Sequence, residues 1–120
     1  MQKAARKLAE GFEALRRTIE ELTEDWKPDP PPINSSMSAI GRAFVRDANP
    51  TSEQVTEMFR RVEGILRDGT ESEKDAVATG FLEAVVSAVD EYPESRWILE
   101  HTGPAARAYI EDWNELCGLK

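Results

Sequence analysis

The sequence predicts an all-α protein, an irregular bundle of about six helices joined through a Pro-rich connector to a long N-terminal amphipathic helix. Three observations predict it. Apolar residues recur at spacings of three and four through successive segments, Pro, Gly and capping residues fall between those segments, and no segment alternates apolar and polar residues as a half-buried strand would. With 120 residues, 40% hydrophobic and 32% charged, the chain is sized for one core and has the apolar material to form it.

The first element is expected from Gln2 to Trp26, where Leu8, Phe12, Leu15, Ile19, Leu22 and Trp26 make one stripe. The same residues fit the a and d sites of a coiled coil, with Leu8, Leu15 and Leu22 at d. The flanking e and g sites are Ala9, Arg16, Thr23, Gly11, Thr18 and Asp25, which lack the charge pairing that zippers use. Packing on the rest of the domain is therefore favoured over self-pairing, and a homodimer through residues 2–26 is the alternative. The KPDPPPIN segment, residues 27–34, has four prolines in eight residues and cannot be helical, because proline lacks the amide proton and restricts the residue before it. A stiff spacer is favoured over a groove ligand. The expected division is residues 1–26, a connector at 27–35 and a helical domain at 36–118.

Within that domain, Met37, Ile40 and Phe44 mark a short helix from Ser36 to Asp47, closed by Ala48-Asn49-Pro50. Thr51 and Gln54 have capping-box spacing, and Val55, Met58, Phe59, Val62, Ile65 and Leu66 follow as a helical stripe ending near Gly69. The next helix, from Glu71 or Ser72 to Asp90, is apolar nearly all round. Only a polar strip through Asp75, Thr79, Glu83 and either Ser87 or Asp90 interrupts it, which predicts the buried centre of the domain. Pro93 suits the first turn of a short helix carrying Trp97, Ile98 and His101. A last helix starts near Pro104, with Ala105, Tyr109, Ile110, Trp113, Leu116 and Cys117 in helical rhythm and Gly118 as its stop.

Charge narrows the function. The net charge is -8; residues 1–67 hold 11 acidic and 11 basic side chains, whereas residues 68–120 hold 12 and 4. The second half repels phosphate backbones, and the basic clusters Lys3/Arg6/Lys7, Arg16/Arg17 and Arg60/Arg61 are small and interleaved with acids, so no nucleic acid is expected as a partner. No apolar run approaches the length of a membrane span, no signal-type segment follows Met1, and Cys117 is the single cysteine; a cytoplasmic protein without membrane contact is expected. A basic protein partner fits the charge.

No catalytic signature is present, and one histidine with one cysteine cannot supply a zinc site, so no catalytic residue, cofactor or metal is expected. His101 reads as a helix-end residue rather than a general base. Trp97 and Trp113 read as core, and the paired acids as a solvated face. Glu83 stands out as a charge within GFLEAVV; it faces water with the polar strip, or it marks a recess for a partner's Arg or Lys.

The segment Asp68 to Gly118, especially GFLEAVVSAVD at 80–90 and HTGPAARAYIEDWN at 101–114, resembles a group of small bacterial all-helical proteins of unassigned function, some of which look like immunity proteins of toxin systems. The resemblance implies a non-catalytic inhibitor that binds and neutralises a cognate, basic toxin. The acidic half, Glu71 to Glu115, is the expected docking surface, with Glu71, Asp75, Glu83, Asp90, Glu91, Glu94 and Glu100 meeting the partner. The alternative is a structural or adaptor subunit that assembles through its N-terminal helix.

Overall fold

A computed structural model describes residues 3–117, excepting the side chains of Asn114, Leu116 and Cys117. The expected stop at Gly118 and the start at Gln2 lie outside the described residues, and so do the side chains of Leu116 and Cys117. The described chain is all helical: α1 (Lys3–Ala9), α2 (Glu13–Trp26), α3 (Ile33–Arg46), α4 (Ser52–Asp68), α5 (Glu71–Asp75), a π-helical segment (Ala76–Leu82), α6 (Glu83–Glu91), a 3-10 segment (Pro93–His101) and α7 (Pro104–Cys117). Backbone angles stay helical from α5 through the π segment into α6, so Glu71–Glu91 is one rod, as the periodicity predicts. Among the described residues no helix is long and apolar enough to cross a membrane.

With the rod counted once, the described residues form seven helical units where six were expected, because the long N-terminal helix is not there. It breaks at Gly11, whose φ of +84° lies in the left-handed region that suits glycine, and Phe12 follows in extended conformation as the N-cap of α2. The break has a packing reason. α1 turns to touch α2, α3 and α4 while Phe12 enters the core edge-on to Phe44 at 5.6 Å. Leu8, Phe12, Leu15 and Ile19 are all buried, so the chain's own core covers most of the predicted stripe; Leu22 is half-buried and Trp26 exposed. The connector is also shorter than predicted, because Pro32 serves as N-cap and α3 starts at Ile33.

Arg61 of α4 fastens the elbow. Its Nη1 donates to the carbonyl oxygens of Lys7, Leu8 and Glu10 at 3.2, 3.3 and 2.7 Å, satisfying orphan carbonyls at the end of α1, while its Nε donates to Glu57 at 3.1 Å. Hydrogen bonds from Arg60 first, and Arg61 second, hold the Glu57 carboxyl below its ordinary value of 4.5. The folded chain therefore binds fewer protons at Glu57 than the unfolded chain. This contribution is fully present above the ordinary value and is lost as pH falls through the lower folded-state value. Asp47, held low by its hydrogen bond from Arg46, has the same sign. Thermal midpoints should fall as the pH drops from about 5 to about 3, and Glu57→Gln should make the fall shallower; an unchanged slope would contradict the assignment.

The core is one buried cluster from Ala4 to Ile110, drawing on both sides of the connector. Phe44 is its hub, meeting Phe12 from the elbow, Phe59 of α4 at 6.5 Å and Phe81 of the π segment at 6.2 Å. α3 and the Glu71–Glu91 rod form the central pair. They approach closely at two glycines: a Cβ on Gly41 would lie 2.6 Å from the Phe81 carbonyl oxygen, and one on Gly80 would lie 2.7 Å from Met37 Cβ. α4 then carries the C-terminal elements. Glu63 accepts from Ala105 N at 3.1 Å and Ala106 N at 2.8 Å, so a carboxylate from another helix caps the start of α7 and favours its dipole.

Candidate docking surface

The Glu71–Glu91 rod sets one polar stripe on the surface. Thr70 caps it: its Oγ1 accepts from Glu73 N at 3.1 Å, and the Glu73 carboxylate accepts from Thr70 N at 2.9 Å, a capping box one residue before the expected start. Asp75, Thr79, Ser87 and Asp90 are exposed and Glu83 is half-buried, so the predicted polar strip runs through both Ser87 and Asp90. Glu71 begins the stripe, paired with Lys74 at 3.7 Å. From Glu71 to Glu91 the rod is about 30 Å long, so its acids form an elongated track rather than one compact spot.

Glu83 has an internal partner. The Tyr109 hydroxyl of α7 donates to it at 2.6 Å, which accounts for a carboxylate in so apolar a segment and ties α7 to the rod. Glu91 hydrogen-bonds to Tyr92, and this bond, followed by burial, pushes the Tyr92 phenol above its ordinary value. The pair lies within electrostatic reach of Arg46, whose own hydrogen bond to Asp47 is the main reason its guanidinium is raised.

Glu94 and Glu100 lie on the 3-10 segment, and there the structure departs from expectation. Trp97, read as core, is 36% exposed, whereas the next residue, Ile98, is buried; Trp113 is half-buried against the core. In a 3-10 helix residues i and i+3 eclipse. Glu94, Trp97 and Glu100 therefore share one row, exposed along its length, while Ser95, Ile98 and His101 share the inward row. His101 does end a helix, and it props Trp97: the rings meet edge-on at 5.7 Å, and His101 Nδ1 lies 3.1 Å from Thr56 Oγ1 on α4. Arg107 ties down the segment's end through the carbonyls of Glu100 and Thr102 and the Thr102 hydroxyl.

Sequence reasoning missed Tyr109, Thr56 and the surface position of Trp97. The spacing of Glu94, Trp97 and Glu100 was the available signal, but three-residue spacing makes a straight row only in a 3-10 helix. An open hollow of 580 Å³ lies between α1 and α2, where Arg6, Arg16 and Lys27 face Glu10, Glu20 and Glu24. Three charges of each sign give it no preference for an anion or a cation. Among the described residues, no group of three or more His, Cys, Asp or Glu is placed to hold a metal ion.

No protein-family model, curated protein or solved structure matches the chain. The functional reading rests on the surface just described.

Proposed function

We propose that this protein is a non-catalytic interaction module that binds a basic protein partner through its acidic C-terminal half, most concretely an immunity-type inhibitor that holds and neutralises a cognate toxin. One observation carries the reading. The ion pairs of the described residues engage Glu13, Glu24, Asp47, Glu57, Asp68 and Glu71, all N-terminal to Asp75. From Asp75 to Glu115 the sequence holds nine acids against Arg96 and Arg107, and among the described residues none of the nine pairs with a cation. All the ion pairs of the described residues, and most of the basic side chains, thus lie before Asp75, and the acids after it are left in excess. Unneutralised charge of one sign accelerates encounter with a partner of the other and disfavours partners of the same sign.

Inhibition by occupation needs no reacting group. An inhibitor of this kind has only to cover the partner's functional surface, and an acidic track about 30 Å long is on the scale of a standard protein interface. A second reading, assembly through the N-terminal region, is favoured by Trp26, which stands 43% exposed at the end of α2.

Affinity capture from native lysate, with the tagged intact chain as bait at low and high salt, tests both. The inhibitor reading predicts recovery of a basic protein that releases at high salt, since exposed charge pairs are screened. Recovery of the chain alone, resistant to salt, would replace that reading with self-assembly.

A further inference from the structure

Surface charge explains attraction, but interfaces concentrate their energy in a few rigid aromatic and arginine contacts near the centre. The 3-10 segment provides such a place. Trp97 stands between Glu94 and Glu100 in the eclipsed row, each residue about 6 Å from it along the helix axis. Trp97 is held before any partner arrives, by His101 edge-on and by Thr56 behind His101, so little side-chain freedom is left to lose on binding. Trp26, the other exposed tryptophan, makes no ring contact among the described residues and adjoins Lys27 rather than a pair of acids.

We infer that the Glu94–Trp97–Glu100 row is the anchor of the docking surface and receives an arginine side chain of the basic partner, stacked on the indole and hydrogen-bonded to the flanking carboxylates. This rests on the proposed function and names the chemistry of its central contact. The row itself carries only acids: of the two described cations near it, Arg96 lies off the row in the eclipsed geometry and Arg107 is turned to backbone carbonyls, and neither forms an ion pair with Glu94 or Glu100 among the described residues, so the row's charge selects a cation. The indole selects arginine over lysine. A guanidinium is planar, weakly hydrated and able to stack and bond a carboxylate at once, whereas an ammonium is a strongly hydrated point charge.

Titration of the intact, ¹⁵N-labelled protein with an arginine–glycine peptide and with a lysine–glycine peptide of equal length and charge tests this. The arginine peptide should bind about two- to fivefold tighter and should move the indole N–H resonance of Trp97, which Trp97→Phe assigns. Glu94→Gln with Glu100→Gln, both exposed positions, should remove the preference for arginine while leaving the weaker binding to the Glu71–Glu91 track. Equal affinities, or an unmoved Trp97 indole with shifts confined to that track, would overturn the anchor and leave the proposed function standing. Failure of both peptides to bind at low salt would overturn the two together.

Discussion

Replacing Phe44 by alanine is expected to cost about 3–5 kcal/mol, the largest loss from any single side chain in this core. Phe44 is fully buried and meets Phe12, Phe59 and Phe81, so its ring joins the α1–α2 elbow, α4 and the central rod in one cluster. Truncation removes buried area and leaves a cavity that three separate elements would have to move to fill. Edge-on and tilted ring pairs add about 0.5–1.5 kcal/mol each beyond area. A domain of this size is stable by about 5–15 kcal/mol, so the variant should unfold at a much lower urea concentration. A loss below about 1.5 kcal/mol would mean that the site collapses easily and that Phe44 is not the hub.

The second large effect is a contrast between two glycines. Helix propensity alone favours Gly→Ala by about 1 kcal/mol at either position. In α3, however, the new methyl of Gly41→Ala would meet the Phe81 carbonyl oxygen at 2.6 Å and Ala84 Cβ at 3.0 Å. The obstruction includes backbone, which cannot swing aside as a long side chain can, so α3 and the rod must part. Overpacking of this kind costs about 1–3 kcal/mol, and more where backbone must shift. Gly64 of α4 has nothing within 4 Å of the same methyl, so Gly64→Ala should stabilise by about 0.5–1 kcal/mol. Urea midpoints of the two variants should move in opposite directions. Movement in the same direction would show that the close approach of α3 to the rod is not what requires glycine at position 41.

Much of this architecture was legible in the sequence because helices announce themselves by period and by caps. Thr51 and Gln54 form the expected capping box, with Oγ1 accepting at 3.2 Å and the amide oxygen at 2.9 Å. What was not legible depended on contacts between distant segments. The stripe Leu8 to Trp26 keeps its rhythm across Gly11, so periodicity ran over a break whose reason is Phe44, more than thirty residues away. The π segment and the 3-10 segment change the residues per turn, and a pattern read at 3.6 misplaces side chains there: Trp97 went to the core and came out on the surface. The acids of the candidate surface were visible as composition. Which acids were already hydrogen-bonded inside the fold was not, because Glu83 accepts from Tyr109, 26 positions on, and Glu63 from the start of α7.

The central claim is that unpaired acids of the C-terminal half hold a basic partner. Asp75 and Asp90 are exposed and without an ion pair among the described residues, so Asp75→Lys with Asp90→Lys reverses charge on the track while leaving the core untouched. The direct measurement is the affinity of the captured partner for the intact protein and for this double variant at low ionic strength. A loss of about tenfold or more, shrinking as salt is raised, is the predicted result; equal affinity for both proteins would contradict the claim.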